Sequence, residues 1–170
     1  MRRLILFRHA RAEPRAAGED DFDRPLAERG REDAAIVAHA LARENLAPDY
    51  ALVSPARRSA ETWVCAREAF PRIRAELNRE LYNAAPEDIR QAIEQVAERC
   101  DTLMVIGHNP GLHELAVDLL IDADAPSAEI EPVAARFPTA TAAVYRIDPV
   151  GRASLDCLLL AHELGGEGDG

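Results

Sequence analysis

Three short apolar runs, at residues 4–7, 50–53 and 103–106, constrain this chain more than any other feature. Each has the length of a buried strand and ends abruptly in polar or small residues. Between them lie stretches with helical spacing. Residues 27–44 place Ala34, Ala35, Val37, Ala38 and Leu41 on one face, with Arg29, Arg31, Glu32 and Arg43 outside. Ser54 and Pro55 open a predicted helix over 55–69, as N-cap and first helical residue, and Pro71 stops it. Pro86 starts a helix to about Arg99, with Ile89, Ile93 and Val96 inward. Asn109 and Pro110 open a fourth in the same cap-then-proline pattern, with Leu112, Leu115, Ala116, Leu119 and Leu120 inward.

Strands alternating with helices predict an α/β fold: a three-layer α/β/α sandwich around a mostly parallel sheet. Residues 73–77 add a short edge strand. Residues 141–147 and 154–160 flank the turn Asp148-Pro149-Val150-Gly151, a hairpin that supplies an antiparallel edge. Residues 123–138, interrupted by Pro126, Pro132 and Pro138, read as irregular. A single domain is expected over 1–164, followed by a Gly- and acid-rich disordered tail over 165–170.

The strand ends carry the chemistry. The first run delivers Arg8 and His9, the second leads to Ser54 and Arg58, and the third breaks into Gly107-His108-Asn109-Pro110. In an open α/β sheet, ligands bind beyond the carboxyl ends of parallel strands. If these strands are neighbours, two imidazoles and at least two guanidiniums meet there, beside helix N-termini that favour anions. That describes a phosphate pocket. A glycine-rich nucleotide loop is absent, and no Cys is followed by Arg at the spacing of a cysteine phosphatase, since Arg72 lies one residue too far from Cys65. Asp20, Asp21 and Asp23 cluster in the loop after His9. They read as a solvated acidic loop rather than a metal site, because no strand precedes them and Arg24 sits alongside. His39 and His113 fall on helices and read as structural or surface residues. Arg57 and Arg58 oppose the dipole of their helix and call for an anionic partner, either Glu61 or a bound phosphate.

Composition narrows the class. A net charge of −10 over 170 residues argues against nucleic acid as a partner. The 20 basic residues are all Arg, so position rather than count must mark a site. Cys65, Cys100 and Cys157 are odd in number and widely spaced, as free thiols in a reducing compartment. No leader and no membrane span are expected, and the cytoplasm is the expected location.

These residues, in this order, resemble the histidine phosphatase superfamily, and within it the SixA-type phosphohistidine phosphatases. Arg8-His9-Ala10 is similar to its Arg-His-Gly signature. Residues 21–31, from Asp21-Phe22-Asp23-Arg24-Pro25-Leu26 onward, are similar to the segment before the first helix of the SixA-like branch. Ser54, Arg58 and Thr62 fall on its Ser-x-x-x-Arg-Ala-x-x-Thr motif, and Gly107-His108-Asn109-Pro110 resembles the motif of the second histidine. The resemblance implies a phosphoglycerate mutase-like fold and a metal-independent phosphatase that needs no cofactor. It implies His9 as the nucleophile that becomes phosphorylated, Arg8 and Arg58 as the grip on the phosphoryl oxygens, and His108 as the second imidazole. Asn109 is expected to line the substrate side. The proton donor of other branches has no well-matched counterpart, and Glu80 is the nearest candidate, with Glu13 behind it. The expected substrate is a phosphohistidine-containing protein. The alternatives are a sugar phosphate or similar small ester, or a non-catalytic phosphate-binding protein on this fold.

Overall fold

The computed structural model describes residues 1–167. Six strands form one sheet: β1 (Arg3–Arg8), β2 (Tyr50–Val53), β3 (Arg74–Leu77), β4 (Thr102–Gly107), β5 (Thr141–Ile147) and β6 (Ala153–Leu160). Their spatial order is β3-β2-β4-β1-β5-β6. β1 runs parallel to β4, and β2 parallel to both β4 and β3. β5 is antiparallel to β1, and the hairpin partner β6 is antiparallel to β5, so the expected antiparallel edge is present.

Five helices cover the sheet: α1 (Glu28–Arg43), α2 (Arg57–Ala66), α3 (Pro86–Val96), α4 (Gly111–Ile121) and α5 (Ser127–Ala135). Side chains alternate across a strand, and each central strand divides its apolar residues between two cores. Leu4, Leu6, Leu52, Leu103 and Val105 pack with Ile89, Ile93, Leu112 and Leu115 on one face. Ile5, Phe7, Ala51, Val53, Met104 and Ile106 pack with Val37, Leu41 and Trp63 on the other. The three-layer architecture follows from that division.

Three expectations are corrected. Helix α2 begins at Arg57 with Ala56 as its cap residue, so Ser54 lies outside the helix and is not its N-cap. Helix α4 begins at Gly111 behind Pro110, reached through a cis Asn109–Pro110 bond, so Asn109 is not its cap either. Residues 127–135 form a helix rather than irregular chain, although Pro132 lies inside it. Pro126 and Pro138 only bracket that helix, and tertiary contacts hold it: the Val133 carbonyl meets His113 Nε2 at 2.8 Å, and Glu129 accepts the Leu155 N–H.

The described part of the expected tail makes contacts with the domain. Gly166 N–H bonds the Ala161 carbonyl and Glu167 N–H bonds Asp33 Oδ1 on α1, while Arg29 pairs with Glu167. The rest of the tail expectation, residues 168–170, lies outside the described residues.

Gly30 is needed for close approach. The first turn of α1 lies against the backbone of Arg11, and a Cβ at position 30 would collide with the Arg11 carbonyl oxygen. The Ala27 N–H bonds that same oxygen at 3.0 Å. The segment just after His9 is thereby clamped to α1.

Candidate active site

His9 directly follows β1, and its backbone N–H bonds the Gly107 carbonyl at the end of β4. Its Nδ1 lies 2.8 Å from the Ala10 carbonyl oxygen. A carbonyl only accepts, so Nδ1 carries the proton and Nε2 is left with a lone pair. Arg58 agrees from the other side, because its Nε–H donates to His9 Nε2 at 3.2 Å. Burial, first, and then the neighbouring His108, Arg58 and Arg8 push the His9 pKa well below the ordinary histidine value. His9 is therefore neutral at pH 7 with a bare Nε2.

Arg58 stands on the first turn of α2 and is only 5% exposed. Its Nη1 donates to the Asp21 carbonyl at 2.6 Å, and its Nη2 lies 3.0 Å from the Asp21 carboxylate. Tyr82 O–H donates to that carboxylate at 3.3 Å. The Asp21 carboxyl is held below its usual range by the Arg24 hydrogen bond first, with the charge of Arg58 adding to it. Arg57 turns away: its Nε donates to Glu61, which also takes Arg31 and the Leu26 N–H. Thr62, one turn further on, accepts the Ala10 N–H and donates to the Arg58 carbonyl. One hydroxyl thus ties the loop bearing the His9 acceptor to the helix bearing Arg58.

His108 follows β4 and is 3% exposed. Its ring centroid lies 5.0 Å from that of His9 and 5.5 Å from that of Tyr82. Burial, and after it the charges of Arg58 and Arg8, lower its pKa to about 3. Its Nε2 stands 2.7 Å from Ser54 Oγ and 3.4 Å from Ser59 Oγ. Arg8 Nη1 donates to the Phe137 carbonyl at 2.8 Å, and Asn109 Nδ2 donates to the same oxygen at 2.9 Å. A carbonyl has two lone pairs, and this one serves both residues.

Comparison with known proteins places this geometry. Residues 4–104 match the protein family described as histidine phosphatase superfamily, branch 1. The chain belongs to the histidine phosphatase superfamily. A 130-residue stretch is 35% identical to an uncharacterized protein of Mycobacterium tuberculosis strain H37Rv, covering 76% of this chain and 80% of the relative. Among solved structures, the Agrobacterium tumefaciens protein named as phosphohistidine phosphatase SixA superposes with a TM-score of 0.83. It is 31% identical, over 94% of this chain and 97% of that one. A mycobacterial glucosyl-3-phosphoglycerate phosphatase shares the fold at a TM-score of 0.65 and 16% identity, covering 91% of this chain and 97% of that one.

In this member of the superfamily the four residues taken from the strand ends, Arg8, His9, Arg58 and His108, meet at the carboxyl ends of β1, β2 and β4. Asn109 lies beside them with its amide turned to the Phe137 carbonyl. Glu80 is exposed on the 3-10 turn Arg79–Leu81, two residues before the Tyr82 that reaches the site, and Glu13 is exposed as well. The acidic loop is used differently from its sequence reading. Asp20 caps the Phe22 N–H, whereas Asp21 holds Arg58. Among the described residues no group of three or more His, Cys, Asp or Glu side chains is arranged to hold a metal, and no helix is long and apolar enough to cross a membrane.

Sequence reasoning missed Asp21, Tyr82, the site role of Ser54 and the Phe137 carbonyl. Ser54 and Asp21 did carry a signal, since both fall inside motif segments. A backbone oxygen carries none.

Proposed function

We propose that this protein hydrolyses phosphoryl groups through a phospho-His9 intermediate, and that its substrate is phosphohistidine on a protein. The observation that carries the reading is the state of His9. Its proton is committed to Ala10 and its bare Nε2 sits against the Arg58 guanidinium. Nε2 attacks phosphorus, and the bond from phosphorus to the leaving atom breaks. When that atom is an imidazole nitrogen, the leaving group takes one proton and departs neutral. Water then attacks phospho-His9, releasing phosphate and restoring the free imidazole. Phosphoryl transfer depends on positioning and charge stabilisation, and Arg8 and Arg58 supply positive charge around the group in flight.

The preference for phosphohistidine rests on the proton donor. An alkoxide from a sugar or serine needs protonation in the transition state, and Glu80, the nearest acid by sequence, is solvent-exposed. The labile P–N bond of phosphohistidine makes a smaller demand. The likeness to the Agrobacterium protein supports the same choice.

The test is a panel of phosphohistidine protein, aryl phosphate and sugar phosphate, assayed without added metal, on wild type and His9→Ala. The expected result is turnover of the phosphohistidine protein ahead of the sugar phosphate. Acid-labile, alkali-stable label should appear on wild type and be lost in the folded variant. Label persisting on His9→Ala overturns the nucleophile, and faster turnover of the sugar phosphate overturns the substrate.

A further inference from the structure

Ser54 is fully buried, does not cap α2, and ends 2.7 Å from His108 Nε2. A buried hydroxyl placed against an imidazole must settle which partner donates. Ser54 Oγ already receives the Ala56 N–H, at 3.4 Å. Its own proton then needs an acceptor, and Nε2 is the ring nitrogen in reach. His108 is neutral at pH 7, because its pKa lies at about 3, so it carries a single proton. If Nε2 accepts, that proton is on Nδ1.

Nδ1 lies across Cε1 from the Ser54 contact. It is buried, and among the described residues no hydrogen-bond partner stands at it. A buried N–H without a partner costs free energy, and an anionic oxygen is the group that recovers that cost best. A lone pair at the same place would repel a phosphoryl oxygen. The ring sits 5.0 Å from the ring of His9, beside the atom that attacks phosphorus.

The geometry points to Ser54 as a positioning residue that fixes His108 in its Nδ1–H form, so that Nδ1 donates to the phosphoryl group or to the atom leaving it. The inference rests on the proposed phosphoryl chemistry, and it deepens it. It assigns to the first residue of the Ser-Arg-Thr motif a job as definite as those of the other two. Ser54 sets the proton of His108, Arg58 holds His9, and Thr62 holds the loop that sets the proton of His9. Ser59 is a poorer candidate for the same task, since its Oγ is 3.4 Å from the nitrogen.

The experiment reads the tautomer directly. Long-range 1H–15N spectra of histidine-labelled protein, with His108 assigned by the His108→Asn variant, are expected to show Nδ1 protonated and Nε2 bare in wild type. Ser54→Ala should move His108 toward the Nε2–H form, whereas Ser59→Ala should not. Ser54→Ala should also weaken tungstate binding and lower kcat, each by roughly 5- to 100-fold. Ser54→Thr, which keeps the hydroxyl, should retain the wild-type tautomer.

A wild-type spectrum with Nε2 protonated overturns the inference, and needs no variant to fold. A Ser54→Ala protein with unchanged tautomer and tungstate affinity overturns it too. The substrate reading fails separately: if phosphohistidine protein is not turned over while tautomer and tungstate behave as stated, Ser54 keeps its role and only the substrate falls.

Discussion

Arg57 and Arg58 adjoin in sequence and differ in everything around them. Arg58 is buried against His9 and Asp21, whereas Arg57 is exposed and paired with Glu61. Removing one donor from a transition-state grip costs about 2.7–4 kcal/mol. Arg58→Ala should lose kcat/KM on that scale. Arg57→Ala breaks an exposed pair of the kind worth about 0–1 kcal/mol, and should change activity little. Equal losses in steady-state assays would remove Arg58 from its special place. Glu80→Gln should leave phosphohistidine hydrolysis within about twofold of wild type, on the view that imidazole departure needs little help from a fixed acid. A fall of two orders of magnitude in the same assay would make Glu80 the donor after all. At this scale the sequence was informative wherever chemistry sits at a strand end, as for Arg8, His9, Arg58 and His108. Asp21 falls inside a motif segment, but its neighbours Asp20 and Asp23 make it look like solvated charge, and only the fold sets it 3.0 Å from Arg58. Tyr82 was hidden because the pairing that delivers it to His108 has no local pattern.

Elements were legible where periodicity was strong. β1, β2, β4 and α1 fall within a residue or two of their predicted bounds. The start of α2 was not, because Ser followed by Pro mimics a cap, and local rules cannot see that a buried imidazole competes for the Ser hydroxyl. α5 was obscured by three prolines, of which only Pro132 is inside the helix. Gly30 gives a test of element packing. In Gly30→Ala the added methyl meets backbone rather than a yielding side chain, and overpacking of this kind costs typically 1–3 kcal/mol. The variant should be destabilised on that scale in urea unfolding. Its activity at low temperature should also fall, because the displaced Arg11 backbone lies two residues from His9. Wild-type stability and activity together would show that α1 moves aside freely.

The whole molecule has a pH signature set by its two site histidines. Burial lowers both pKa values, that of His108 to about 3. Unfolded, each titrates near 6.5. Below that pH the unfolded chain takes up protons that the folded chain refuses, so stability falls as pH drops. The slope approaches about 1.4 kcal/mol per pH unit for each such histidine. Unfolding midpoints at pH 7 and pH 5 should therefore differ more in wild type than in His108→Asn. A variant as pH-sensitive as wild type would contradict the buried neutral state of His108. The same shifts place the acid limb of kcat/KM below 6.5, since His9 Nε2 stays bare there.

The order of the sheet has a consequence for how the protein is made. β1 precedes the other five strands along the chain, yet one of its flanks is closed by β5, where Arg3 stands opposite Arg146. The Phe137 carbonyl that aims Arg8 is likewise made late. Both strands of the β5–β6 hairpin lie far along the chain from β1, so the strand that leads into His9 is paired on both sides only through a distant contact, and such distant pairings are slow to form. A message cut short after α4 would not yield a smaller enzyme. It would yield a chain with the middle of its sheet laid open, ready to stick to another like it.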